Sequence, residues 1–223
     1  MQLVQRADVT GADADALWTL YSRAFGRRRR NRPGAPAPMP RELFDLALHD
    51  LRITKFLVVD LLEGRSVAAF ATLGPAVGLR ELLPVGPGNP ASNGSCCSNG
   101  SDCSNSTACS NGSSDGELPD PRRLVDRWPE QLRQGRVWHL GLMAVDPGYC
   151  GTSAAAHLVT GVLATAAASG GVITVDLDAV HEVEMHLPTM LYEVARTFSR
   201  RIRLHPLPGS SCWAYEFPAP VPA

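Results

Sequence analysis

The sequence predicts an α/β (α+β) fold, and three observations point to it. Short runs rich in β-branched residues alternate with segments of helical periodicity. Two of those runs, residues 56–62 and 66–73, are separated by Glu63-Gly64-Arg65, the signature of a hairpin. The parts of the chain on either side of one low-complexity stretch read as a single alternating unit. The composition agrees: 223 residues, 44% hydrophobic and 19% charged with a net charge of −1, suit one globular domain. They argue against a disordered chain and against one that binds nucleic acid through bulk charge.

Taken in order, Leu3, Val4 and Val9 supply a first strand, and Leu17, Leu20, Tyr21 and Ala24 mark a helix over residues 10–25 that Gly26 ends. Arg27 to Arg30 then form a basic run in a Pro/Gly-rich loop that closes at Pro40. Such a run is ordinarily a solvated loop; an anion site is the sharper reading. A second helix, residues 41–50, carries Leu43, Leu46 and Ala47 on one face, and the hairpin comes next. Residues 121–132 read as a helix, 136–145 as a strand, 152–168 as a helix, 172–178 as a strand and 188–199 as a helix. Strands around 202–204 and 213–217 close the domain.

The interruption lies at about 87–116. From Ser92 it repeats every six residues as SNGSCC, SNGSDC, SNSTAC and SNGSSD, and it holds four of the six cysteines, Cys96, Cys97, Cys103 and Cys109. Nothing in it can bury a core, so it is expected to be a disordered surface insertion. Its cysteine spacing contains no CxxC pair, which argues against zinc. Its sequons at Asn93, Asn99, Asn105 and Asn111 come with the repeat. No metal is expected in the protein.

The remaining composition limits location and partners. Lys55 is the only lysine among the 21 cationic side chains, a bias that GC-rich coding explains without invoking recognition chemistry. The least polar stretch, residues 154–168, is short of the roughly 20 apolar residues that cross a bilayer and contains His157. Residues 1–9 lack the apolar core of a secretory signal. A cytoplasmic protein with no membrane span and no nucleic-acid partner is expected.

The chemistry concentrates in VWHLGLMAVDPGYCGTSAAAHLVTGVLATAAASGG, residues 137–171. An apolar strand enters a tight Asp146-Pro147-Gly148 turn, and a helix opens within a few small residues. Backbone N–H groups at a helix entrance are unpaired and point outward, which makes them a cradle for a pyrophosphate. This segment resembles the GNAT superfamily of acyl-CoA-dependent N-acetyltransferases. The family pattern L-x-V-x-P-x-Y-[RQ]-x-x-G-x-[GA] lies without a gap on Met143, Val145, Pro147, Tyr149, Cys150, Ser153 and Ala155.

The resemblance implies a mixed, mostly antiparallel sheet with helices on both faces, and a splayed pair of strands that binds acyl-CoA. It implies that Met143, Ala144 and Val145 offer main-chain groups to the pantetheine arm, and that Cys150, Gly151, Thr152, Ser153, Ala154 and Ala155 hold the pyrophosphate. It implies acetyl-CoA or another acyl-CoA as co-substrate, a small-molecule or protein amine as acceptor, and leaves room for a homodimer. The loop departs from the pattern: Cys150 stands where Arg or Gln is usual, and Ser153 where Gly is usual. Losing a charged hydrogen bond to phosphate costs ~1.5–3 kcal/mol, about tenfold or more in affinity.

Leu191-Tyr192-Glu193 resembles the family segment whose tyrosine protonates the departing CoA thiolate, so Tyr192 is the candidate general acid. His139 stands four residues before Met143, on the same face if the strand is regular, and is the candidate base. Glu182 and Glu184 are alternatives. His181 and His186 are five apart, so HEVEMH does not have the zinc-protease spacing. A covalent route through Cys150 lacks a His and Asp pattern to support it.

Direct acyl transfer to an amine is therefore the leading expectation. A looser likeness, in LRELLPVGPGNP and RRLVDRWPEQL, is to acyl-homoserine-lactone and long-chain N-acyl amino acid synthases. A third reading, motivated by Cys150 and Ser153, is a non-catalytic domain of the same fold that binds a ligand or partner.

Overall fold

The structure is a computed structural model and describes residues 1–31, 39–62, 66–77, 121–177, 182–183, 186–208 and 210–219. Among the described residues, seven strands form one sheet: β1 (Gln2–Arg6), β2 (Thr54–Asp60), β3 (Ser66–Pro75), β4 (Val137–Val145), β5 (Val172–Asp176), β6 (Arg203–Pro206) and β7 (Cys212–Glu216). Their order is β1-β2-β3-β4-β5-β7-β6, and every neighbouring pair is antiparallel except β4 and β5. The helices are α1 (Gly11–Asn31), α2 (Arg41–His49), α3 (Pro121–Arg127), α4 (Pro129–Arg133), α5 (Ala154–Ser169) and α6 (Leu187–Arg196). The expected mixed, mostly antiparallel sheet with helices on both faces is what the chain forms. The insertion expected at 87–116 and the turn at 63–65 lie outside the described residues.

Two packed layers cover the sheet. On one face α5 and α6 bring Leu158, Val162, Leu163, Leu191 and Ala195 onto Val58, Ala71, Leu140, Ile173 and Tyr215. On the other, α1 and α2 bring Leu17, Leu20, Tyr21, Phe44 and Leu48 onto Leu57, Phe70 and Ala144. Each such side chain contributes about 1.5–3 kcal/mol of burial. A third cluster seats Leu124 and Trp128 against Val137, Val172 and Leu207. Where α5 crosses β1, a Cβ on Gly161 would overlap the Leu3 side chain, so the glycine that weakens the helix also lets the two elements meet.

Several elements differ from expectation for local reasons. Helix α1 runs through Gly26 to Asn31, so Arg27 to Arg30 are helical rather than part of a loop. A single glycine costs ~1 kcal/mol in a helix and does not stop one, and arginine is a good helix former. In α2 the buried face is Phe44, Ala47 and Leu48, while Leu46 is exposed. The expected helix at 121–132 is broken at Trp128 (φ −131°, ψ 53°), because the residue before a proline is pushed out of the α region. Val9 lies beyond the end of β1 and is buried outside any strand.

The one lysine lies inside the fold. Lys55, on β2, is fully buried; its Nζ donates to Ala7 O and Asp50 O, both at 2.6 Å. It ties the β1–α1 connection to the α2–β2 connection. Burial pulls its pKa below the ordinary lysine value, against the opposing pull of Asp50 and Asp8.

The register of β4 sets which of its side chains reach each face of the sheet. Opposite β3, Met143 pairs with Ala71 and Leu140 with Leu73, so β4 takes three steps where β3 takes two. The extra residue is held by Thr72, whose Oγ1 accepts the Leu142 N–H at 2.8 Å. Gly141 fits because a Cβ there would come within 2.9 Å of the same Oγ1. A bulge of this kind reverses which face the side chains beyond it occupy. Thr72→Val keeps the shape and removes the acceptor from a part-buried N–H. It is expected to lower unfolding free energy by about 1–3 kcal/mol in denaturant titrations.

Candidate functional site

The site begins where two strands part. Strand β5 pairs in parallel with β4 only from Val137↔Val172 to Leu140↔Val175, and it ends at Asp176, whereas β4 continues to Val145. Past Leu140 the edge of β4 that faces β5 has no partner strand among the described residues. Met143 is exposed in this gap. The base of the gap is apolar and nearly filled: Leu140, Met143, Leu163, Ile173, Leu191 and Tyr215 surround a cavity of about 10 Å³.

At the top of β4 the chain turns into α5 through a 3₁₀ turn at Pro147–Tyr149. Asp146 organises it. Its Oδ1 accepts the Gly148 N–H at 2.8 Å, its carbonyl accepts the Tyr149 N–H at 2.8 Å, and its own N–H donates to Ala68 O at 2.9 Å. Its Oδ2 meets Arg23 Nη1 of α1 at 2.9 Å. Tyr149 is anchored through its hydroxyl to Ser66 Oγ at 2.9 Å.

The turn delivers donors to solvent. Gly151 sits at φ +85°, where a side chain would be strained, and swings the chain into α5. Among the described residues no backbone acceptor is paired with the N–H groups of Gly151, Ser153, Ala155 or Ala156. Those four residues are exposed, while Ala154 is buried against the core. The side-chain cap comes from Thr152, whose Oγ1 accepts the Ala154 N–H at 3.2 Å, and not from Ser153. Helix entrances of this form bind anions through N–H groups and the positive end of the helix dipole.

The mixed, mostly antiparallel sheet, the helices on both of its faces and the parting of β4 from β5 are the features that the GNAT resemblance implies. No protein-family profile matches the chain, and no curated protein matches it. Solved structures that superpose on it include the ribosomal-protein-S18-alanine N-acetyltransferase of Escherichia coli (12% identity, 100% of this chain and 97% of that one, TM-score 0.48). An acetyltransferase of Corynebacterium glutamicum related to histone acetyltransferase HPA2 aligns at 14% identity over 100% of both chains, with a TM-score of 0.48. An aminoglycoside 6'-N-acetyltransferase complexed with coenzyme A aligns at 13% identity over 100% of both, with a TM-score of 0.45.

The expected site residues divide into two groups. Met143, Ala144 and Val145 lie on the free end of β4, and Cys150 to Ala155 form the entrance to α5, so the structure brings the nine together. Cys150 is exposed, with Sγ 4.0 Å from Asp146 O. Tyr192 lies on α6, partly buried against the α5 and α6 layer, with the Arg196 guanidinium 5.8 Å over its ring. Among the described residues nothing hydrogen-bonds its hydroxyl. Phe198 is exposed beyond the end of α6. Glu182 is half-buried, and Glu184 and His181 lie outside the described residues.

His139 departs from expectation. Because of the bulge at Gly141 and Leu142, it does not share a face with Met143: Leu140 and Met143 line the cavity under α5, whereas His139 points to the opposite side. There its Nδ1 lies 3.0 Å from Thr174 Oγ1, and Thr174 Oγ1 donates to Trp138 O at 3.1 Å. The imidazole is buried, and desolvation pulls its pKa down to about 4.

Sequence reasoning gave no part to the side chains of Thr72, Arg23 and Asp146, which shape this region. Thr72 and Arg23 carry no local signal, since each acts on a residue far along the chain. Asp146 did carry one: Asp-Pro-Gly is a side-chain-capped turn.

The buried neutral imidazole makes a pH prediction. Its folded pKa of about 4 lies below the ordinary 6.5, so the unfolded chain binds the proton first. Stability contributed by neutral His139 is complete above pH 6.5 and is lost as pH falls through 4. The loss amounts to about 3 kcal/mol at full protonation. Thermal melts of wild type and His139→Gln between pH 7 and 4 are expected to converge at the acid end.

Proposed function

We propose that the chain is an acyltransferase that moves an acetyl or other acyl group from acyl-CoA to an amine of a small molecule or a protein by direct attack. The observation that carries this reading is the unpaired N–H row at the α5 entrance, placed beside the gap that β4 leaves when β5 diverges. A diphosphate fits the first, and an extended amide-bearing arm fits the second through main-chain groups of Met143 to Val145. In this reading the thioester lies beside Met143, on the side of the gap bordered by Leu191, the neighbour of Tyr192 on α6.

In the reaction the amine nitrogen bonds to the thioester carbon, the C–S bond breaks, and the sulfur leaves as a thiolate. Backbone N–H groups of the free β4 edge stabilise the oxyanion, as preorganised donors do. Tyr192 gives its phenolic proton to the sulfur. The amine proton passes to water at the exposed edge of β4. The geometry of His139 favours a different part for it, holding β4 to β5 through Thr174, over that of the base. Positioning supplies most of the rate.

The apolar lining of the gap suits an acyl chain, and a donor panel reads its length. The exposed Cys150 and Ser153 keep the non-catalytic reading in play, and binding decides it. Calorimetric titration with acetyl-CoA is expected to show saturable heat; no heat for any CoA thioester with folded protein would sink both enzyme readings. Acetyl, octanoyl and palmitoyl thioesters make up the donor panel, and the best substrate among them separates the short-chain from the long-chain reading. Tyr192→Phe is expected to cut turnover by about a hundredfold while leaving donor affinity within about twofold. Unchanged turnover removes Tyr192 from the mechanism.

A further inference from the structure

Resting on the acyl-CoA reading, we infer that Arg23 of α1 is a positioning residue for the donor diphosphate. It cancels, from the opposite face of the sheet, the charge of Asp146 at a helix entrance where Cys150 stands in place of a cationic side chain.

The α5 entrance has an electrostatic problem of its own. Asp146 is needed for shape: its Oδ1 and its backbone groups hold the turn that aims the N–H row. The same carboxylate is an anion at the foot of a site for an anion. Its side chain is only 12% exposed, so water screens it poorly. Cys150, four residues on, contributes a thiol with Sγ near Asp146 O, and nothing cationic.

The structure answers from α1. Arg23 Nη1 meets Asp146 Oδ2 at 2.9 Å while Gly148 N–H takes Oδ1, so the two oxygens have separate partners. Asp146 can cap the turn without repelling the ligand. His157, on the first turn of α5, turns its Nδ1 back onto Ser153 O at 2.8 Å. Arg23 belongs to the helix that packs on the far face of the sheet, which couples that layer to the donor loop.

This division of labour predicts a thermodynamic cycle. Calorimetric titrations of coenzyme A, with S-acetyl-pantetheine as the diphosphate-free control, would be run on wild type, Arg23→Ala, Arg23→Lys, Asp146→Asn and the Arg23→Ala/Asp146→Asn double variant. Arg23→Ala is expected to weaken coenzyme A about tenfold at low salt, less at high salt, and to leave the control unchanged. Arg23→Lys, which keeps the charge, is expected to stay within about threefold of wild type. Asn can still accept from Gly148, so Asp146→Asn is expected to bind at least as tightly as wild type, and adding Arg23→Ala to it is expected to cost less than about twofold.

Equal weakening by Arg23→Ala in both backgrounds overturns the role through Asp146, and so does equal weakening toward the control ligand. Unaltered affinity in Arg23→Ala overturns it too. These outcomes leave the donor reading standing. A folded wild type that binds no coenzyme A removes the donor reading and this inference together.

Discussion

The arrangement depends on one asymmetry of strand β4. It is hydrogen-bonded to β3 along its length but to β5 only from Val137 to Leu140. Parallel strands joined through a helix would ordinarily run on side by side. Here the bulge at Gly141 and Leu142, pinned by Thr72, redirects β4 at the place where β5 lets go. A half-satisfied strand end is normally a liability, since its polar groups invite pairing with another chain. In this fold it is flanked by the α5 entrance and α6, so what it offers is a narrow polar edge over an apolar floor. The proposed chemistry needs such a surface.

The same bulge accounts for much of what the sequence did and did not reveal. The strand, turn and helix over residues 137–169 were legible because apolar strand residues, Asp-Pro-Gly and a small-residue helix start lie close together in the chain. The α5 stripe of Leu158, Val162 and Ala166 was legible for the same reason. The face of His139 was not, because a two-residue alternation holds only while the register is unbroken. The break is caused by a threonine hydroxyl on another strand. Nothing near residue 139 announces it.

Other misreadings share that origin. Gly26 has local weight as a helix breaker, but α1 is held by Leu17, Leu20 and Tyr21 packing on Phe44 and Phe70, and propagation through one glycine is cheap relative to that burial. The break at Trp128 was readable from Pro129 alone. The nine residues that the GNAT resemblance names for the donor groups lie along one segment, which is why the sequence could suggest them together. Arg23 offers no such signal, since an ion pair between a helix and a distant turn leaves no trace in either neighbourhood.

The burial of Lys55 has a chemical consequence beyond the fold. The amine is the only ε-amino group in the chain, and it is enclosed with two carbonyls bound to it. Reagents that acylate lysine therefore meet no accessible lysine side chain on the folded molecule. Modification at this position has to wait for the segment joining β1, α2 and β2 to open. Its rate, followed by the mass of the fragment that carries Lys55, is a clock for that opening.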